Sequence, residues 1–129
     1  HCQLVHADAM IGYQAQDWMA FARRTCTEMP DGIIRFAYDP AISDGLSGNA
    51  SSAVPPDLWA IWDRLSAIPA LILRGALSDI LAPATVAEMK RRHPDHISTV
   101  EIADRGHAPM LDEPDALAAI DEFLSNIGK

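Results

Sequence analysis

The chain has 129 residues, of which 49% are hydrophobic and 22% are charged, and its formal charge at pH 7 is −8. That balance is typical of a soluble globular protein, and the acidic surface disfavours nucleic acid as a partner because it repels phosphates. No apolar run approaches the roughly 20 residues of a membrane-spanning helix, and no basic amphipathic helix indicates a membrane surface.

The two cysteines bear on the redox compartment of the protein, and the N-terminal residue bears on whether the chain is part of a longer one. Cys2 and Cys26 fit neither a CxxC motif nor a disulfide framework, so they predict free thiols in a reducing compartment and a cytoplasmic protein. The chain begins with His1 and has no signal-peptide pattern. We therefore expect it to begin partway into a longer protein.

The first half of the chain predicts two helices and one short strand, while residues 1–12 carry little signal. Apolar residues at three- and four-residue spacing, Trp18 and Phe21 among them, predict a helix that ends before Pro30. The predicted elements are a helix over 13–28, a strand over 33–38, a loop over 39–56 and a helix over 57–65.

From residue 69 onward, predicted strands and helices alternate. The elements are a strand over 69–75, a helix over 84–92, a strand over 98–103 and a helix over 114–126. Pro83 and Pro114 suit the first turns of the two helices. This alternation predicts an α/β fold with parallel strands joined by crossover helices.

Two strands cannot form the whole sheet of such a fold. Both predicted strands read as buried on both faces, so further strands must come from a part that precedes His1 or from a second chain. A partial sheet leaves an unpaired apolar strand edge, which favours self-association into a homo-oligomer.

Two polar residues follow the predicted parallel strands, at the ends that share one edge of the sheet. Asp79 lies a few residues past the first strand, and His107 a few residues past the second. Neighbouring strands are about 4.8 Å apart, so a carboxylate and an imidazole on adjacent loops can reach hydrogen-bond contact. The carboxylate would orient the ring, and the other ring nitrogen would accept a proton. A helix cap for Asp79 and a surface position for His107 are the plainer alternatives.

An Asp–His pair needs a nucleophile to catalyse acyl transfer, and none is evident here. The usual signal is G-x-S-x-G on a sharp turn between a strand and a helix. The stretch GLSGN at 45–49 comes close, but Asn49 replaces the second glycine, and Ser78 lacks both glycines. We interpret 45–49 as loop.

Other polar residues have simpler interpretations. Asp104 shares the turn of His107 and is expected to point away from it. Asp112 and Glu113 suit the cap and first turn of the last helix. The HPDH stretch at 93–96 lacks a third ligand, so we interpret it as a solvated helix end and expect no metal site.

Two stretches together resemble the C-terminal section of α/β-hydrolase fold enzymes. They read IPALILRGALSDIL and ADRGHAPMLDEPDALAAIDEFL, an apolar strand with R-G-x-x-S-D and then G-H-x-P-x-x-x-E-P. The family order is nucleophile, acid, histidine, and Asp79 and His107 match the last two. Residues 1–50 resemble, more weakly, the end of a cap, and 51–129 would form the C-terminal part of the core.

This resemblance implies hydrolysis of an ester-like bond in a small-molecule substrate, with no metal or cofactor. The family also includes epoxide hydrolases, haloalkane dehalogenases, thioesterases, peptidases and cofactor-free lyases, and nothing in residues 1–129 separates these activities. An upstream nucleophile would attack, His107 would act as the base, and Asp79 would orient His107. Trp18, Phe21 and Met110 are candidates for substrate contact, with ordinary core packing as the alternative. The rival hypothesis is a binding module without catalytic activity, because the nucleophile and the oxyanion loop have no counterpart here.

Overall fold

A computed structural model describes residues 2–39, 41–42 and 56–127, and the chain divides into two compact units. The first unit comprises 1–5 and 13–56, and the second comprises 6–12 and 57–129. Most of the predicted loop over 39–56, including the GLSGN stretch, lies outside the described residues. A short helix α1 (Cys2–His6) and a 3-10 turn (Ala7–Ala9) begin the chain.

The first unit is built from one helix and a small antiparallel hairpin. Its elements are α2 (Ala15–Thr25), β1 (Cys26–Glu28) and β2 (Ile34–Phe36), and the strands pair with Cys26 opposite Phe36. The helix begins with a capping box, in which the backbone N–H of Gln14 donates to Asp17 Oδ2 at 2.8 Å.

The prediction of a helix over 13–28 was wrong at its C-terminal end. Residues 26–28 form a strand because their backbone groups pair with β2, across a turn in which Gly32 has φ +79°. Thr25 ends the helix, and its Oγ1 donates to the carbonyl of Phe21 at 2.9 Å. The β-branched Thr27 also suits a strand better than a helix.

The second unit holds the parallel pair that the sequence predicts. Strands β3 (Ala70–Gly75) and β4 (Ile97–Ile102) run parallel, with Ala70 opposite Ile97 and Gly75 opposite Ile102. The helices of this unit are α3 (Leu58–Asp63), α4 (Pro83–Arg92) and α5 (Pro114–Asn126). Helix α4 connects the two strands, so the predicted α/β architecture is confirmed.

Local sequence signals explain where these helices begin. The Asp57 carboxylate accepts hydrogen bonds from the backbone N–H groups of Trp59 and Ala60 at 3.0 and 3.2 Å, and so caps α3. Pro83 and Pro114 each occupy the first turn of their helix, as predicted. Within the described residues, no helix combines the length and the apolar character needed to cross a bilayer.

The sheet is less enclosed than its sequence suggests. Ile97 and Ile102 at the two ends of β4 are buried, but Ser98 and Glu101 between them are exposed. No third strand pairs with β3 or β4 in the part of the chain that the structure describes. Burial on both faces therefore does not hold for β4 within this chain.

Gly75 closes β3 where two backbones approach each other. A Cβ atom at this position would collide with the carbonyl oxygens of Arg105 and Gly106. Because both obstacles are backbone atoms, Gly75→Ala forces the two loops apart. We expect the free energy of unfolding of the second unit to fall by about 3 kcal/mol or more. Urea denaturation with hydrogen exchange at β3 and β4 measures the loss.

Gly12→Ala is the matched control in the same unit. Its new Cβ meets no atom within 4 Å, but the residue has φ +84°, which costs about 1–2 kcal/mol for a residue with a side chain. Equal losses in the two variants would contradict the close approach of the backbones at Gly75.

Candidate active site

The loop after β3, residues 76–82, carries Asp79 and is held from behind by Arg74. The Arg74 side chain is only 7% exposed. Its guanidinium donates to the carbonyl oxygens of Ala76, Ser78 and Leu81 at 3.3, 3.2 and 2.6 Å. These acceptors lie on both sides of Asp79, so the backbone of the loop is tied while the Asp79 side chain stays exposed.

The same arginine also links the loop to the neighbouring strand. Arg74 Nη1 lies 2.6 Å from Glu101 Oε2 on β4. Within the loop, Ser78 Oγ accepts a hydrogen bond from the backbone N–H of Leu81 at 3.1 Å. Burial of a guanidinium is costly unless it is paired and hydrogen-bonded, and these contacts meet that requirement.

The loop after β4, residues 103–113, carries His107 and rests on the segment 6–12 of the same unit. The backbone N–H of Gly106 donates to the carbonyl of Ala9 at 2.7 Å, and that of Ile11 donates to Asp104 at 3.2 Å. Asp104 has φ 58°, a left-handed conformation that aspartate tolerates better than most residues. The contact with 6–12 gives a structural role to residues that carried little sequence signal.

Glu113 anchors the far end of the His107 loop. Its carboxylate is 7% exposed and accepts hydrogen bonds from Arg105 Nε at 2.7 Å and from the backbone N–H of Met110 at 3.2 Å. Glu113 stands at the N-cap position of α5, but its side chain makes no capping hydrogen bond. The prediction that it caps the helix was therefore wrong for its side chain, which folds back onto the loop instead.

The surroundings of Glu113 shift its ionisation. Burial raises the pKa of this carboxyl, but hydrogen bonds from the backbone N–H groups of Glu113 and Met110 and from the Arg105 guanidinium lower it. The net pKa lies below the ordinary value. The carboxylate is therefore ionised at neutral pH and forms a charge-assisted hydrogen bond with Arg105.

The two loops are joined at their base by backbone hydrogen bonds. The N–H of Ala76 donates to Ile102 at 2.9 Å, and the N–H of Leu77 donates to Arg105 at 2.8 Å. Asp79 and His107 thus follow strands that end side by side. Both side chains are exposed, and neither makes a hydrogen bond or ion pair with the other or with any other described residue.

The three candidates for substrate contact occupy different settings. Trp18 lines an open cavity of about 570 Å³ within the first unit, whereas Phe21 is buried at 6% exposure. Their rings meet edge to face, with centroids 5.9 Å apart. Met110 lies half-buried in the His107 loop of the second unit.

The HPDH stretch is only partly solvated. His96 is exposed, but His93 is 7% exposed and its ring lies 5.8 Å from that of Trp62. The interpretation as a solvated helix end was therefore wrong for His93, whose ring packs in the space beside Trp62. No cluster of three or more metal-ligating side chains occurs among the described residues.

Sequence reasoning missed the roles of Arg74 and Glu113. The signal for Arg74 was present, because a charged residue in an otherwise apolar strand must be paired if it is buried. For Glu113 the local pattern favoured a cap, and only the fold brings Arg105 and Met110 within reach of its carboxylate.

Comparisons with known proteins support the fold. No protein-family model matches the chain. A crystal structure of an alpha/beta hydrolase from Novosphingobium aromaticivorans is similar over 96% of this chain, with 33% identity and a TM-score of 0.84. The chain belongs to the α/β-hydrolase fold family. It spans 43% of that hydrolase.

A curated relative supports the same family. A 3-hydroxybutyrate-oligomer hydrolase from Cupriavidus necator is 38% identical over 90 residues, which are 68% of this chain and 30% of that protein. The chain therefore spans less than half of either protein.

Replacing Glu113 by Gln removes a buried charge that anchors the His107 loop. At pH 7 we expect Glu113→Gln to lose about 1–3 kcal/mol in the free energy of unfolding. The folded-state pKa of Glu113 lies below 4.5. The stabilisation that its carboxylate gives to the folded state is therefore complete above about pH 5, and it declines as the pH falls through the folded-state pKa. The difference between wild type and variant should therefore narrow from pH 7 to acidic pH in urea denaturation.

Glu122→Gln is the control for this measurement, because Glu122 is exposed on α5. It makes the same chemical change and should leave stability within about 0.5 kcal/mol at both pH values. A Glu113→Gln loss that stays constant with pH would show that the carboxylate charge does not hold the loop.

Proposed function

We propose that residues 1–129 supply the acid and the histidine of a hydrolase active site, whose nucleophile lies outside these residues. The observation that carries the proposal is the hydrogen-bonded junction of the two loops at the ends of β3 and β4. It brings the segments bearing Asp79 and His107 to the edge where open α/β sheets bind ligands.

In the proposed mechanism, the exposed imidazole of His107 removes a proton from the nucleophile as it attacks the substrate. The resulting imidazolium gives that proton to the leaving group, and His107 then activates water for the second half of the reaction. Asp79 accepts a hydrogen bond from the other ring nitrogen and keeps the ring oriented. Both side chains are exposed and make no hydrogen bond or ion pair with the described residues, so no such bond has to break before they turn toward each other.

The proposed substrate contains an ester-like bond. The Cupriavidus necator relative is named for hydrolysis of 3-hydroxybutyrate oligomers, and a hydroxy acid is joined to itself through esters. Short oligoesters and p-nitrophenyl esters are therefore the first substrates to test. We assign residues 1–50 to the end of a cap. Within the second unit, Met110 would contact the apolar part of the substrate from the His107 loop.

The two half-buried thiols, Cys2 and Cys26, are free and support our proposal of a cytoplasmic protein.

A binding module without catalytic activity is the second candidate. The observation that favours it is the lack of a hydrogen bond between Asp79 and His107. If the protein is such a binding module, it should fold but show no ester hydrolysis.

His107→Ala in the natural protein removes the proposed base. We expect kcat for p-nitrophenyl ester hydrolysis to fall by about three to four orders of magnitude, because proton removal and water activation both require the ring. His96→Ala is the matched control, since His96 is exposed in a turn away from the two loops, and should keep wild-type turnover. Unchanged turnover in His107→Ala would reject the proposed role.

Asp79→Asn tests the acid separately. We expect kcat to fall by about 10³- to 10⁴-fold, since an amide at this position favours the wrong ring tautomer. Asp104→Asn makes the same charge change three residues before His107, and asparagine also tolerates the left-handed conformation of residue 104. A larger loss in Asp104→Asn than in Asp79→Asn would identify Asp104 as the acid instead.

A further inference from the structure

The guanidinium of Arg74 forms hydrogen bonds with the backbone of the Asp79 loop in addition to its ion pair with Glu101. Four of its five N–H groups are used, three of them on carbonyl oxygens of residues 76, 78 and 81 and one on Glu101. A carbonyl group left without a partner in a part-buried site is costly. The Arg74 side chain therefore favours a single backbone conformation for residues 76–81, which include Asp79.

We propose that Arg74 is a positioning residue for the acid of the active site. It holds the backbone of residues 76–81 so that the Asp79 carboxylate stands where the His107 ring can reach it. This inference rests on the proposed function of Asp79 and His107. Arg74 itself is buried beneath the loop and does not touch substrate.

The ion pair with Glu101 is the minor part of this arrangement. Glu101 is 59% exposed, and ion pairs with a solvent-exposed partner contribute little because water screens them. The contacts to the loop carbonyls, by contrast, need the planar fork of a guanidinium. Lysine keeps the positive charge but has a single ammonium group that cannot reproduce three separated contacts.

The neighbouring contacts explain why movement of this loop would affect His107. Leu77 donates its N–H to the carbonyl of Arg105, two residues before His107, and Ala76 donates to Ile102. The start of the Asp79 loop is therefore tied to the His107 loop, and Arg74 sets the path of the remainder. A small displacement of the loop backbone would therefore change the distance between the Asp79 carboxylate and the His107 ring.

Arg74→Lys in the natural protein is the first test. We expect kcat to fall by about 100-fold, as for a displacement of a catalytic group by about 1 Å, with KM within about threefold of wild type. Glu101→Gln is the matched control, because it removes the ion pair and leaves the loop carbonyl contacts in place, and it should keep kcat within about threefold. A loss in Glu101→Gln equal to that in Arg74→Lys would assign the effect to charge and overturn the proposal.

A double-mutant cycle distinguishes positioning from general stabilisation. If Arg74 acts through Asp79, Arg74→Lys should have little further effect on kcat in an Asp79→Asn background. A merely structural arginine would lower activity by the same factor in both backgrounds, which would overturn the proposal. Wild-type activity in Asp79→Asn alone would instead refute the proposed role of the acid.

Hydrogen exchange provides a readout that does not depend on activity. The N–H groups of Ser78 and Leu81 donate to Gly75 and to Ser78 Oγ, so we expect both to be protected in the wild type. In Arg74→Lys they should exchange faster, while the amides of β3 and β4 stay protected. If Arg74→Lys does not fold, the wild-type measurement still decides, because rapid exchange at residues 78 and 81 would show that the loop is not held.

Discussion

The parallel pairing of β3 with β4 is the constraint on which the rest of the second unit depends. Its register places Gly75 opposite Ile102, so both strands end at the same level and their loops begin side by side. The absence of a side chain at Gly75 allows the backbone of Arg105 and Gly106 to approach closely. A shift of register by one residue would exchange the two faces of a strand and separate the loops.

Two buried charged residues hold the loops from opposite ends. Arg74 binds the carbonyl groups of the Asp79 loop, and Glu113 binds Arg105 and Met110 in the His107 loop. Both anchors are 7% exposed, whereas Asp79 and His107 are exposed. Two buried charges thus anchor the backbone of the two loops, while the side chains of Asp79 and His107 stay exposed.

Much of the second unit could be predicted because its signals are local. The apolar run before Gly75 marks a strand, and Pro83 and Pro114 mark helix starts, so these elements agree closely with the structure. Predictions failed where distant residues decide. Residues 26–28 form a strand only because 34–36 pair with them, and His93 is buried beside Trp62, a contact between separate elements. The structure shows no hydrogen bond or ion pair between the Asp79 and His107 side chains. The proposed contact would depend on side-chain rotation, which neither pattern nor register determines.

The central proposal is that, in the natural protein, the Asp79 carboxylate and the His107 ring turn toward each other and form a hydrogen bond at the end of the parallel strands. Proton NMR of the ring N–H of His107 in the natural protein tests this most directly. The expected result is a strongly deshielded, slowly exchanging ring proton that is lost in Asp79→Asn and kept in Asp104→Asn. No such proton in the wild type, or one that persists in Asp79→Asn, would contradict the claim.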